Sequence, residues 1–126
     1  MSANDLPGRS LVEMMVPPTI WAVHFLLCYI VAAVYCAKTG LPAADLAPVR
    51  VWVAFVTLIA LSGIAASGIR ASRRGRFEAR RRAPHDADTI EDRQHFLADA
   101  TILLSGLSFV ATLYVAMAAA FVETCR

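Results

Sequence analysis

Charged residues are absent from three long stretches of this 126-residue chain, and their absence excludes most soluble folds. Residues 18–37, 51–69 and 100–122 contain no Asp, Glu, Lys or Arg. Hydrophobic residues make up 58% of the chain and the mean hydropathy is +0.57, whereas soluble domains have an apolar share of about 45–50%. About 20 apolar helical residues cross a bilayer. We therefore predict a single all-α domain, a three-helix transmembrane bundle with spans at about 18–37, 51–70 and 99–122.

Motifs for catalysis are also missing. The sequence has no phosphate-binding loop, no complete set of metal ligands and no recognisable pair of nucleophile and base. Its basic residues lack the interleaved aromatic residues that are typical of nucleic-acid binding. We therefore expect that the protein is not an enzyme and does not bind nucleic acid. We expect it to be embedded in the lipid bilayer.

Proline, glycine and capping residues predict where the helices begin and end. Pro17 disfavours the helical conformation in the residue before it, while Pro18 suits a first helical turn, so the first span should begin at Pro18. Gly40 is placed to end that helix. Asp88 has the spacing of an N-cap with an acid three residues later, which predicts that the third helix extends from about residue 88 into the cytoplasm.

Arginine dominates the positive charge, and its distribution predicts the topology. The chain has one lysine and eleven arginines, of which eight lie between Arg70 and Arg93. Because cytoplasmic loops are enriched in Lys and Arg, we expect residues 71–98 to form a basic cytoplasmic loop, with the N-terminus also in the cytoplasm and the C-terminus periplasmic or extracellular. The expected lipid or topology anchors are Arg73, Arg74, Arg76, Arg80, Arg81 and Arg82.

Small residues in the second span predict close helix packing. Gly63 and Ser67 are four residues apart, as are Ser62 and Ala66. Small residues at this spacing let helix backbones approach each other in lipid. We therefore expect Gly63 and Ser67 to lie at a helix–helix interface.

His24 is the only ionisable imidazole within the first span, and three interpretations remain open for it. It can form a polar interhelix cluster with Asp99, and with Thr101 nearby, because we expect His24 and Asp99 at similar depths. It can bind haem or copper, with His95 as a second haem ligand or Cys28 as a soft donor to copper. It can also contact a larger membrane partner.

Two cysteines are expected at the same membrane boundary. Cys36 ends the first span and Cys125 follows the third, on the face that the arginines assign to the outside. If that face is oxidising, as at a bacterial plasma membrane, the two can form a disulfide. Cys28 lies in mid-membrane and is expected to be a small buried hydrophobe.

Short motifs in the two outer spans resemble a family of small three-span bacterial membrane proteins. The first span carries PPTIWAVHFL at 17–26, followed by Tyr29 and a Cys-Ala pair at 36–37. The last carries RQHFLA at 93–98 and LLSGLS at 103–108, with a cysteine beside the C-terminus. Members of that family are encoded beside subunits and assembly factors of haem-copper cytochrome c oxidases. The resemblance implies a location in the bacterial inner membrane and supplies no catalytic residues.

Three functions follow as expectations. The first is an accessory or assembly protein that binds a larger respiratory membrane complex, such as a haem-copper terminal oxidase, by helix packing. The second is a small haem-binding electron-transfer subunit that uses His24 with His95. The third is a stand-alone membrane scaffold that holds no cofactor and contacts lipid through its arginines.

Overall fold

Three long α-helices form the fold. The structure is a computed structural model, and it describes residues 7–40, 45–81, 90–123 and 125. The helices are α1 (Pro7–Thr39), α2 (Ala47–Arg81) and α3 (Ile90–Phe121), and each packs against both others. The predicted all-α class is confirmed.

Each helix contains a segment that is long and apolar enough to cross a membrane. These segments are Leu11–Thr39, Ala47–Phe77 and Phe96–Phe121. At ~1.5 Å per residue, even the shortest of them exceeds the roughly 30 Å hydrocarbon core. Within the described residues, the prediction of three helices that are long and apolar enough to span a membrane is therefore confirmed, although the helices extend beyond the predicted spans.

The helix break that we predicted at Pro17 and Pro18 is wrong, because α1 runs through both prolines. Each proline removes one backbone N–H from the helical hydrogen-bond ladder. Pro17 is fully buried in the bundle, and the Thr19 hydroxyl donates a 2.7 Å hydrogen bond to the Met15 carbonyl in the same turn. Packing by neighbouring helices and hydroxyl side chains lets membrane helices accommodate proline.

The arginine-rich segment was predicted as a basic loop between the second and third spans, and whether its arginines are helical was left open. In the structure α2 continues as a helix to Arg81. Arginine is a good helix former, and positive charge near a helix C-terminus interacts favourably with the helix dipole. The helical stem before the third span is present and begins at Ile90, close to the predicted 88.

The small residues of α2 set its contacts with both neighbours. A Cβ built on Gly63 would lie 3.3 Å from Cδ1 of Ile20 in α1, and one built on Gly68 would lie 3.2 Å from Cβ of Ser105 in α3. Gly63 thus packs as predicted. Ser67 is half-buried, with its hydroxyl donating to the Ile64 carbonyl of its own helix at 2.8 Å. The contact at Gly68 was not predicted.

One end of the bundle is closed by the predicted disulfide, which is present between Cys36 and Cys125 with a Cα–Cα distance of 5.6 Å. Gly40 adopts φ 59° and its N–H donates to the Cys36 carbonyl, so it ends α1 as predicted. The Leu46 N–H donates to the Glu123 carbonyl at 3.3 Å. We call this end, which joins all three helices, the disulfide end.

An ion pair ties α1 to α2 near the opposite end. Arg74 donates to the Glu13 carboxylate, and both side chains are substantially exposed. An exposed pair of this kind contributes about 0–1 kcal/mol. The pair is therefore a weak tie compared with the covalent bond at the disulfide end. We call this second end the arginine end.

Candidate functional site

His24 lies at the centre of the buried polar contacts between α1 and α2. Its side chain is 2% exposed, and its Nε2 lies 2.9 Å from Thr57 Oγ1. The Thr57 hydroxyl donates its single proton to the Val53 carbonyl at 2.7 Å. Because that proton is already used, Nε2 must be the donor to Thr57 Oγ1. In this arrangement a neutral His24 carries its proton on Nε2.

Two polar atoms on the same part of α1 have no partner within the described residues. They are Nδ1 of His24 and Nε1 of Trp21, both inaccessible to solvent. With the His24 proton on Nε2, Nδ1 presents a lone pair, while the Trp21 indole presents an N–H donor. Buried polar atoms are usually hydrogen-bonded, so these two atoms mark an imperfectly satisfied region about three to four turns beyond Leu11, where the apolar segment of α1 begins.

The predicted pairing of His24 with Asp99 is not formed. The partner of His24 is Thr57, and Asp99 is exposed. On α3, Ala98 faces Gly75 of α2, which is 18 residues from Thr57. That separation corresponds to about 27 Å along the helix axis. The depth estimate failed because it began α1 at Pro18, whereas the helix extends eleven residues further toward the arginine end.

The arrangement of His24 bears on the cofactor interpretation. Nε2 is engaged with Thr57, and the Cys28 thiol lies 3.6 Å from that same nitrogen. The His95 side chain lies outside the described part of the chain. Across residues 7–40, 45–81, 90–123 and 125, no three His, Cys, Asp or Glu side chains are grouped as metal ligands. The described contacts therefore give His24 a structural hydrogen bond between helices.

A stripe of small hydroxyl residues on α3 was missed by the sequence analysis, apart from Thr101. Its members are all buried, and their spacing of four, three and four places them on one helix face. They are Thr101, Ser105, Ser108 and Thr112. Most of their hydroxyl groups donate to a carbonyl four residues earlier in the same helix. The stripe therefore gives α2 a small, internally satisfied surface to pack against.

An open apolar groove of about 260 Å³ runs between α1 and α2 beside His24. Its walls come from two helices and consist almost entirely of aliphatic side chains. The lining residues are Thr19, Ile20, Val23, His24, Leu27, Val56, Ile59 and Ala60. Because His24 Nδ1 is covered, the groove offers apolar surface without a polar contact point.

On another face of α1, three aromatic rings follow one another at successive turns. The ring centroids of Trp21 and Phe25 are 6.3 Å apart, and those of Phe25 and Tyr29 are 6.5 Å apart, with nearly parallel planes. Tyr29 is 65% exposed, and its hydroxyl has no hydrogen-bond partner within the described residues. We call Trp21, Phe25 and Tyr29 the aromatic stripe.

The predicted arginine anchors lie on the part of α2 beyond the second apolar run. Arg73, Arg74 and Arg76 are exposed. The side chains of Arg80 and Arg81, together with Arg82, lie outside the described part of the chain. The anchors that can be placed thus project from a helix rather than from the expected loop.

Comparisons with protein-family models, curated proteins and solved structures give no match for this chain. The structure itself offers three candidate binding surfaces, which are the aromatic stripe, the apolar groove and the arginines of α2. All three suit contacts with lipid or with other membrane helices.

Proposed function

We propose that this chain is an accessory or assembly protein that binds a larger respiratory membrane complex by helix packing. The complex suggested by the resemblance of the outer spans is a haem-copper terminal oxidase. The proposed docking surface is the aromatic stripe of α1. Its partner would be a transmembrane helix of the larger complex.

The observation that carries this proposal is the exposed Tyr29 hydroxyl. Tyr29 lies seven residues before Cys36, about 10 Å from the disulfide end along α1. Side chains on a helix are directed toward its N-terminus, which points the hydroxyl away from that end and further into the hydrocarbon. A hydroxyl without a partner in an apolar environment costs about 1–3 kcal/mol. A partner helix that supplies a hydrogen-bond acceptor would remove that cost.

The surroundings of the stripe also support docking. The disulfide ties the nearer end of α1 to the segment after α3, and the backbone bond from Leu46 to Glu123 ties that segment to the start of α2. The Phe25 ring stacks on Tyr29 and is itself stacked on Trp21, which restricts the Tyr29 side chain further. A prearranged aromatic surface loses little conformational entropy on binding, and tyrosine and tryptophan are common anchors at interfaces.

Purification of the tagged full-length chain from its native membranes in a mild detergent tests the proposal. We expect oxidase subunits to co-purify in fixed stoichiometry, identified by mass spectrometry and by haem absorbance. Tyr29→Ala should reduce the recovered complex by about ten-fold, as for an interface anchor.

Tyr114→Ala is the matched control, because Tyr114 is 70% exposed on α3 and lies outside the aromatic stripe. It should leave recovery unchanged. Recovery of no stoichiometric partner, or equal losses for the two variants, would contradict docking through α1. Recovery of a different complex through Tyr29 would keep the accessory role and remove the oxidase assignment.

A further inference from the structure

The face of α2 that is directed away from the other two helices combines exposed arginines with a strip of small and aliphatic residues. Arg50 and Arg70 bracket the apolar part of the helix, and their separation of 20 residues corresponds to about 30 Å, the thickness of the hydrocarbon core. Arg73 and Arg76 lie three and six residues beyond Arg70, or about 5 and 9 Å further along the axis. The lipid headgroups occupy roughly 5–8 Å on each side of the core. The Arg73 backbone is thus at their level and that of Arg76 lies just beyond it, with its side chain directed back toward the N-terminus of α2 and the headgroups.

Among the residues that the structure describes, these arginines have few neighbouring carboxylates to balance their charge. Arg70, Arg73 and Arg76 follow each other at intervals of three on a continuous helix, so successive guanidinium groups are neighbours. Such like-charge neighbours destabilise a helix. The described ion pair neutralises Arg74 through Glu13, and no described carboxylate pairs with Arg73 or Arg76.

Arginines without a described carboxylate partner favour an anionic ligand, and a phosphate group suits them best. Guanidinium groups bind phosphate through two parallel N–H···O hydrogen bonds, so one phosphate can bridge two neighbouring arginines. Negative charge from a phosphate would relieve the repulsion between Arg73 and Arg76.

The same face continues into the membrane as a surface suited to an acyl chain. Ser62, Ala66 and Ile69 precede Arg73 at spacings of four, three and four, which places all four residues along one stripe. All four are exposed. The Ser62 hydroxyl donates to the Leu58 carbonyl at 2.7 Å, so it does not require a partner from the membrane. Because the side chains at 62 and 66 are small, an acyl chain can lie close to the helix backbone below the arginines.

We propose that this face of α2 is a binding site for an anionic phospholipid. The phosphate bridges Arg73 and Arg76, and one acyl chain lies along Ser62, Ala66 and Ile69. This proposal depends on the membrane location of α2 and is independent of docking through the aromatic stripe.

Native mass spectrometry of the purified full-length chain in detergent tests the site, with phosphatidylglycerol as the anionic probe and phosphatidylcholine as the zwitterionic one. We expect clear preference for phosphatidylglycerol in the unmodified chain. The double variant R73Q/R76Q should lower its affinity by about ten-fold or more, since each basic residue near the surface contributes several-fold. The control K38Q/R50Q removes the same charge from exposed residues at the disulfide end and should keep the preference.

Further variants separate a lipid site from a simple phosphate site. R73K/R76K keeps the positive charge but cannot form the bidentate hydrogen bonds of a guanidinium group, so it should bind phosphatidylglycerol with intermediate affinity. Ala66→Trp places a bulky ring in the path of the acyl chain and should weaken phosphatidylglycerol binding while leaving the arginines in place. Glycerol phosphate without acyl chains should fail to compete. Equal losses in R73Q/R76Q and K38Q/R50Q, or full competition by glycerol phosphate, would overturn the proposal.

Each variant is first checked for helical circular dichroism and an intact Cys36–Cys125 bond. If R73Q/R76Q does not fold, R73K/R76K and Ala66→Trp carry the test, and unchanged phosphatidylglycerol binding in both would overturn the proposal.

Discussion

His24 joins α1 to α2 through one defined hydrogen bond, and this gives the residue a measurable structural role. Thr57 donates its own proton to the Val53 carbonyl, which leaves a lone pair of its oxygen to accept the N–H of His24. A histidine in a membrane helix is often taken as a functional residue. Here its contacts favour a role in interhelix packing. The hydrogen bond from the imidazole places Thr57 of α2 directly beside His24 of α1.

Substitution of Thr57 by valine removes the acceptor for the His24 N–H and leaves that donor buried without a partner. We expect a destabilisation of about 1 kcal/mol, within the range measured for hydrogen bonds between membrane helices. Equilibrium unfolding by SDS in mixed micelles, followed by circular dichroism, measures the change. Thr112→Val is the control, because the Thr112 hydroxyl bonds only within α3 at the Ser108 carbonyl, and its loss should cost less.

A double-mutant cycle between His24→Leu and Thr57→Val should give a coupling energy close to the cost of the single Thr57 substitution. The equivalent cycle between His24→Leu and Asp99→Leu should give no coupling, because the two residues lie at different depths. Coupling with Asp99 and none with Thr57 would contradict the geometry described above.

At the scale of the helices, α2 derives its position from two glycines that face different neighbours. Gly63 admits Ile20 of α1, and Gly68 admits Ser105 of α3. The second contact is the tighter one, since the neighbouring atom is a Cβ close to the backbone of α3. A methyl group at residue 68 would therefore push α2 and α3 apart.

Gly68→Ala should destabilise the bundle by about 1–2 kcal/mol through overpacking, despite the better helix propensity of alanine. Gly106→Ala is the control, because nothing lies within 4 Å of a Cβ built there. It should be neutral or stabilising. Adding Ser105→Gly to Gly68→Ala should restore part of the lost stability. Thermal unfolding of the three proteins in one detergent tests the series, and equal midpoints would show that the contact is not tight.

The helices, their order and the disulfide could be predicted because each depends on strong local signals. A long apolar run that lies in lipid must form a helix, because only then are its backbone hydrogen bonds satisfied within the segment. Gly40 ends α1 by a conformation that glycine adopts easily. Cys36 and Cys125 could be paired because a chain with three spans brings the end of the first and the end of the third to the same membrane boundary. That prediction needs no knowledge of how the helices pack.

The position of His24 relative to the other helices could not be predicted, because it depends on the lengthwise register of the helices. Pro17 and Pro18 suggested a boundary, but packing in the bundle overrides that local preference. Moving the start of α1 changes the depth assigned to every residue after it. The sequence therefore led to a pairing of His24 with Asp99 on α3, whereas the structure places His24 against Thr57 on α2.

At the scale of the whole molecule, the disulfide is the strongest tie between the first and last helices. It joins residues that are 89 positions apart. Cross-links of this kind stabilise proteins by about 2–4 kcal/mol, mainly by restricting the unfolded chain. Cys36→Ser should lower the unfolding free energy by about that amount.

Alkylation with and without a reductant, followed by electrophoresis, measures the disulfide directly. The unreduced, denatured protein should accept one label, on Cys28, and the reduced protein three. Cys28→Ser is the control, and it should abolish labelling before reduction. Labelling of Cys36 and Cys125 in the unreduced chain would show that the bond is absent.

The topology predicted from the arginines gives a second whole-molecule experiment. An impermeant maleimide applied to intact cells after mild reduction should label Cys36 and Cys125. A cysteine introduced by Asp86→Cys, in a background that carries both Cys36→Ser and Cys125→Ser, should stay unlabelled until the membrane is opened. The reverse pattern would place the arginine end outside the cell.

The Cys36–Cys125 bond also constrains biogenesis. The first cysteine is synthesised 89 residues before its partner, so this bond cannot form until the third helix and the segment after it have been made. Formation of the covalent link thus records that the first and third helices have come together. A nascent or truncated product would retain a reactive thiol, which quality-control oxidoreductases could distinguish from the mature protein.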